Sequence, residues 1–126
     1  MPKVLLVDDS AVMRKIIQRN IKESGMVVSE YAEAGDGAQA LDMVTKDDSV
    51  DLILLDWNMP NMSGIDFIKS YRSLNLPKKI PIVMITTEGS TSKIQEAKDY
   101  GADGYLKKPF TADQLRDTLG DYLLVN

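Results

Sequence analysis

The feature that most constrains this chain is an alternation: short, wholly apolar runs recur between longer stretches whose apolar residues fall at helical spacing. Val4-Leu5-Leu6-Val7 is the first such run. Leu52-Ile53-Leu54-Leu55 and Ile80-Pro81-Ile82-Val83-Met84-Ile85 repeat its character. A strand that is apolar at every residue is covered on both faces, as happens in parallel sheets flanked by helices. Between the first and second strands, Met13, Ile16, Ile17 and Ile21 keep helical spacing up to a stop near Gly25. Val27 to Ala32 reads as a second strand, polar enough for a sheet edge. After an Asp36-Gly37 turn, Ala40, Leu41 and Val44 mark a second helix, and Ile65, Ile68 and Tyr71 a third that ends before Leu76-Pro77. Ile94 and Ala97 set a weakly amphipathic fourth helix behind the polar stretch Thr86 to Ser92, with Gly101 as its C-cap. Gly104-Tyr105-Leu106 is a short fifth strand. Thr111-Ala112-Asp113-Gln114 fits a capping box that opens a last helix with Leu115, Leu119 and Tyr122 inward.

Five β-α units with no linker, repeat or low-complexity segment predict one domain over residues 1–126. The fold class is α/β, a doubly wound five-stranded parallel sheet with right-handed crossovers and helices on both faces. In such sheets the working site lies beyond the carboxyl ends of the strands. The residues just after each strand therefore carry the functional question.

Composition narrows the chemistry available there. The 126 residues include no cysteine and no histidine. Thiolate sites, disulfides, Ser-His-Asp hydrolysis and the usual zinc sites are excluded. A net charge of −4, from 15 basic and 19 acidic residues, argues against non-specific nucleic-acid binding, which needs a basic stripe. The longest apolar runs fall far short of the roughly 18 residues that cross a bilayer, and the amino end has no signal-peptide layout. The expectation is a cytoplasmic protein, off the membrane, working with carboxylates, hydroxyls, lysines and a bound ion.

Asp8 and Asp9 follow the first strand, Asp56 the third, Thr86 and Thr87 the fourth, and Lys108-Pro109 the fifth. Each has an ordinary reading. Asp8-Asp9-Ser10 could cap a helix, Thr86 is a common strand-end residue, Lys108 a surface charge and Tyr105 a core or rim aromatic. Their coincidence at four of the five strand ends is what points to a site. If the first and third strands are neighbours, three carboxylates converge and need a cation. Hard oxygen ligands select Mg²⁺ or Ca²⁺, and so few of them suit Mg²⁺. A divalent ion, a carboxylate nucleophile, a lysine and a hydroxyl form a phosphoryl-transfer layout. With no histidine in the chain, the phosphoryl group must come from a donor protein or a small acyl phosphate.

Val7-Asp8-Asp9-Ser10, Leu54-Leu55-Asp56-Trp57-Asn58-Met59-Pro60, Ser63-Gly64, Ile85-Thr86 and Lys108-Pro109-Phe110 together resemble the receiver domains of bacterial two-component response regulators, over essentially the whole chain. Trp57, Asn58, Glu88 and Tyr105 are most similar to the single-domain chemotaxis regulators of that family. The resemblance, and not the spacing, implies the flavodoxin-like strand order 2-1-3-4-5. It implies that Asp56 takes a phosphoryl group from the phosphohistidine of a CheA-like histidine kinase. It also implies that Asp8, Asp9, Asp56 and the backbone carbonyl of Asn58 hold Mg²⁺. Lys108 would pair with the phosphoryl group ahead of a cis Lys108–Pro109 bond, Thr86 would swing towards it, and Tyr105 would move into the space Thr86 leaves. Asn58, Glu88 and Thr87 sit where receivers tune dephosphorylation, and Thr87 stands where a small residue is common. Strand alternation turns Lys107 outward, available to a partner.

The implied function is a monomeric phospho-acceptor switch rather than an enzyme. Its target, such as the flagellar switch, would dock on the face made by the fourth helix, fifth strand and fifth helix. That surface is expected to differ from chemotactic relatives, because Gly89-Ser90-Thr91-Ser92 makes its edge polar and flexible. The chain ends at Asn126, soon after the last helix, which favours a single-domain regulator over a transcription factor. The alternative within the family is a shuttle that passes the phosphoryl group to a phosphotransferase. Outside it, a flavodoxin-like electron carrier would want a Ser/Thr/Gly phosphate loop where Asp8-Asp9 stands. A haloacid-dehalogenase-type phosphatase would place its nucleophile after the first strand.

Overall fold

A computed structural model describes residues 2–123 of the chain. Met1 and residues 124–126, part of the expected 1–126 domain, lie outside the described residues. Five strands, β1 (Lys3–Val7), β2 (Glu30–Ala34), β3 (Leu52–Leu55), β4 (Ile82–Thr86) and β5 (Gly104–Lys107), alternate with five helices. These are α1 (Ala11–Glu23), α2 (Gly37–Lys46), α3 (Gly64–Ser73), α4 (Thr91–Tyr100) and α5 (Ala112–Leu119). All pairings are parallel and the strand order is β2-β1-β3-β4-β5, as the resemblance implied.

The sheet divides its side chains between two cores by strict alternation. Leu5, Val7, Ile53, Leu55, Ile82 and Met84 face α2, α3 and α4. Val4, Leu6, Leu52, Leu54, Val83 and Ile85 face α1 and α5. Fully burying a side chain of this size contributes about 1.5–3 kcal/mol, so the three central strands anchor both layers. On α3, Phe67 stacks on Tyr71 with ring centroids 5.7 Å apart. Phe67 is fully buried beside the expected Ile65, Ile68 and Tyr71. The wider stripe was hidden because two adjacent buried residues blur a simple i, i+3 reading.

Several element boundaries differ from the sequence expectation; strand ends shift by one or two residues at β1, β2, β4 and β5, and the larger differences have local reasons. β2 starts at Glu30 rather than Val27. Ser29 donates from its backbone N and its hydroxyl to the Pro2 carbonyl, both at 2.9 Å, and the ladder with Lys3 begins only after that clasp. β4 starts at Ile82 rather than Ile80. Pro81 has no N–H to give a ladder, and Ile80 N donates instead to the Tyr71 hydroxyl at 3.3 Å. Asp36 is not a turn residue but the N-cap of α2, accepting from Gln39 N at 2.8 Å. The last helix ends at Leu119, so Tyr122 reaches the α1/α5 core from the turn beyond it. The capping box of Thr111 and Gln114 is present in full, with bonds of 2.9 and 3.1 Å.

Candidate phosphoryl-acceptor site

The parallel ladders deliver the acids. Asp56 N donates to the Val7 carbonyl at 2.9 Å and Asp8 N to the Ala34 carbonyl at 3.1 Å. Both residues are therefore held in register as their strands run out. Because β1 and β3 are direct neighbours, Asp8, Asp9 and Asp56 converge. Each offers a carboxylate oxygen, and these oxygens all lie within 4.8 Å of one another. Asp8 is only 3% exposed, Asp56 is half-buried, and Asp9 is open to solvent.

Each acid is further fixed by its own loop. Asp8 Oδ1 accepts from Ser10 N at 2.9 Å. Ser10 caps α1 by accepting from Met13 N at 3.1 Å, so the capping falls to Ser10 while Asp8 and Asp9 stand in the acid cluster. Arg14 grips the same turn, donating to the Asp8 carbonyl and, through Nε, to Glu33 at 2.8 Å. Asp56 Oδ1 accepts from Trp57 N at 2.7 Å. The loop then folds back so tightly that a Cβ on Gly64 would sit 2.2 Å from the Asp56 carbonyl oxygen. Gly64 is required by that close approach, and its N–H bonds the Trp57 carbonyl at 2.9 Å.

Lys108 supplies the positive charge. Its Nζ stands 3.1 Å from Asp8 Oδ2 and 3.8 Å from Asp56 Oδ2, a largely buried ammonium spanning two carboxylates. Lys108 N bonds the Thr86 carbonyl at 2.8 Å, and the Lys108–Pro109 bond is cis as the resemblance implied. Burial raises the Asp56 pKa above the ordinary carboxylate value. Lys108 opposes that, Asp8 adds to it, and the Trp57 N–H and Thr86 hydroxyl oppose it more weakly. A raised carboxylate beside two others is a site short of positive charge. Three oxygen donors of this kind suit a hard divalent ion such as Mg²⁺.

The remaining predicted residues line the rim. Thr86 is the last residue of β4, fully buried, with its hydroxyl accepting from Glu88 N at 3.3 Å. The Asn58 amide donates to Glu88 Oε1 at 3.3 Å. The Tyr105 hydroxyl donates to the Glu88 carbonyl. Burial first, then the Glu88 and Asp56 charges, push the Tyr105 phenol up to about 12, so it stays protonated and able to donate. Thr87 is exposed and lines a cleft with Met13, Ile16, Lys108, Pro109 and Phe110. Lys107 points outward as expected, its stem laid across Gly89, where a Cβ would meet Lys107 Cδ at 2.4 Å. Two contacts escaped the sequence reading: the Arg14 clasp, and Lys93 of α4, whose Nζ lies 5.0 Å from the centre of the Trp57 ring. Neither follows from periodicity: Arg14 ties α1 to the turn before it and to β2, and Lys93 ties α4 to the loop after β3.

Known proteins resemble this chain in sequence and in fold. A model of the response regulator receiver domain matches residues 4–120. A chemotaxis protein CheY homolog of Campylobacter jejuni is 38% identical over 121 residues, covering 96% of this chain and 92% of that protein. Chemotaxis protein CheY-3 of Vibrio cholerae is 42% identical over 117 residues, covering 93% and 88%. The solved structure of the chemotaxis response regulator CheY4 of Vibrio cholerae superposes with a TM-score of 0.82 at 41% identity, covering 98% of this chain and 99% of that one. With three converging carboxylates, a bridging lysine and these relatives, the chain belongs to the response regulator receiver domain family.

Proposed function

We propose that this protein is a chemotaxis-type two-component response regulator whose phospho-acceptor is Asp56. The observation that carries the reading is the convergence of Asp8, Asp9 and Asp56 within 4.8 Å, with Lys108 against two of them. The names of its full-length relatives direct it towards chemotaxis. A carboxylate oxygen of Asp56 attacks the phosphorus of a phosphohistidine on a CheA-like kinase. The P–N bond breaks, the imidazole leaves, and an aspartyl phosphate remains. Asp8, Asp9, Asp56 and the Asn58 carbonyl would hold Mg²⁺, whose chemistry is to offset the carboxylate charge and that of the phosphoryl oxygens. Lys108 releases Asp56 and pairs with the incoming phosphoryl group, keeping its bond to Asp8.

Thr86 turns its hydroxyl to a phosphoryl oxygen and Tyr105 settles into the space so opened. Asn58 and Glu88, joined across the rim, and Thr87 beside it set how readily water reaches the acyl phosphate. The phosphorylated protein, a cytoplasmic monomer, then binds a target such as the flagellar switch through α4, β5 and α5. It is a switch that assists its own phosphorylation and dephosphorylation rather than an enzyme with a separate substrate. Among the described residues no helix is long and apolar enough to cross a membrane.

The test is incubation with Mg²⁺ and acetyl phosphate followed by intact mass measurement. One phosphoryl group should add to the wild type and none to Asp56→Asn. An adduct that persists in the variant would assign the acceptor elsewhere. Trp57 emission should respond to millimolar Mg²⁺, and a flat signal counts against the metal ligands.

A further inference from the structure

The amino end of α4 has few ties to the rest of the molecule. Ala97 is its one buried residue, and the segment leading in, Gly89 to Ser92, is small and polar. Ser90 caps the helix from within, accepting from Lys93 N at 3.2 Å. A second holdfast of the first turn is Lys93. Its ammonium lies 5.0 Å from the centre of the Trp57 ring, with Glu96 at 3.8 Å on its other side. Trp57 is only 8% exposed and is the residue whose N–H bonds Asp56 Oδ1 at 2.7 Å. An ammonium over a buried indole is a cation–π contact with one face already desolvated.

We propose that Lys93 is a positioning residue for the acceptor site, coupling the first turn of α4 to the Asp56 loop through the Trp57 ring. This rests on the reading of Asp56 as the acceptor and adds a link that none of the resemblance-derived residues supplies. Two lines of contact then join the site to the β4–α4 loop and to α4. One runs from Asn58 through Glu88 to Tyr105, and the other from Trp57 to Lys93. The first holds the β4–α4 loop and the second holds the helix itself. When Lys93 sits on Trp57, it steadies the residue whose backbone N–H holds Asp56 Oδ1 at 2.7 Å. Removing the contact loosens the Trp57 N–H on Asp56 and weakens the site for its occupant.

The experiment is titration of the full chain with beryllofluoride, a phosphoryl mimic, at saturating Mg²⁺ by calorimetry. Lys93→Met should bind about two- to fivefold more weakly than wild type, the size of a cation–π contact near the surface. Lys93→Arg, which keeps the charge and stacks on rings, should restore binding. In a Trp57→Leu background, Lys93→Met should cost nothing further, because the partner is already gone. Equal affinity of Lys93→Met and wild type overturns the proposal. So does the same loss with and without Trp57, which would make Lys93 a free charge. Should Trp57→Leu fail to fold, the loss in Lys93→Met is compared at low and high salt. Persistence at high salt supports the ring contact, and its disappearance marks a screened charge effect and overturns it. Failure of the wild type to bind beryllofluoride would instead strike the acceptor reading.

Discussion

The centre of the sheet and its β4–α4–β5 edge are built to different tightness. At the centre, β1 and β3 are buried on both faces and end in ladder bonds that fix Asp8 and Asp56. Gly64 closes against the Asp56 carbonyl with no space for a side chain. At the edge, α4 buries Ala97 alone, and its neighbours are joined by single bonds from Tyr105, Asn58 and Lys93. A cluster of like charges needs rigid positioning, since small displacements change its chemistry. A surface that must alter on phosphorylation needs few, individually weak contacts. The division of labour is therefore visible as a gradient of packing.

The largest expected effects break the centre. Phe67→Ala should cost about 3–5 kcal/mol in urea unfolding, as a fully buried aromatic does. Ile94→Ala, on half-exposed α4, should cost less than about 1 kcal/mol. Similar costs for the two would erase the gradient. Gly64→Ala should lower both stability and acetyl-phosphate labelling, because the Asp56 carbonyl must move to admit the Cβ. An unaltered labelling rate would show that the loop can give way.

A smaller effect concerns the raised pKa of Asp56. Its folded value lies above the unfolded one, so this group favours folding below the unfolded pKa. That contribution is lost as pH rises through the folded pKa. Without Mg²⁺ at neutral pH the carboxylate therefore opposes folding. Asp56→Asn should melt a few degrees higher than wild type there, and the gain should fade as pH falls into the carboxylate range. A gain independent of pH would place its cause outside this ionisation. The most local is Tyr105→Phe, which removes the bond to the Glu88 carbonyl. It should cost about 1 kcal/mol and speed amide exchange in residues 88–92 while leaving β3 unchanged. Equal acceleration in both would deny that the edge opens separately.

Much of the centre was legible in the sequence. Runs such as Leu52 to Leu55 announce strands covered on both faces, and a parallel sheet sends its strand ends to one side. That is enough to bring Asp8, Asp56, Thr86 and Lys108 under suspicion together. The edges were less legible. β2 was displaced by three residues at its start because a clasp between Ser29 and Pro2 decides where pairing begins. Lys107 was readable from alternation, but the accommodation of its stem by Gly89 was not.

The sequence by itself determined the α/β class, the order of elements and a chemistry confined to oxygen ligands, hydroxyls and lysine. It did so because periodicity and composition are local properties of a chain. The neighbouring of β1 and β3 was conditional in the sequence and decided by the tertiary structure. So were the bridging of Asp8 and Asp56 by Lys108, 100 and 52 residues away along the chain, and the seating of Lys93 on Trp57. These join residues from different β-α units, and only the packed sheet sets the distances between them.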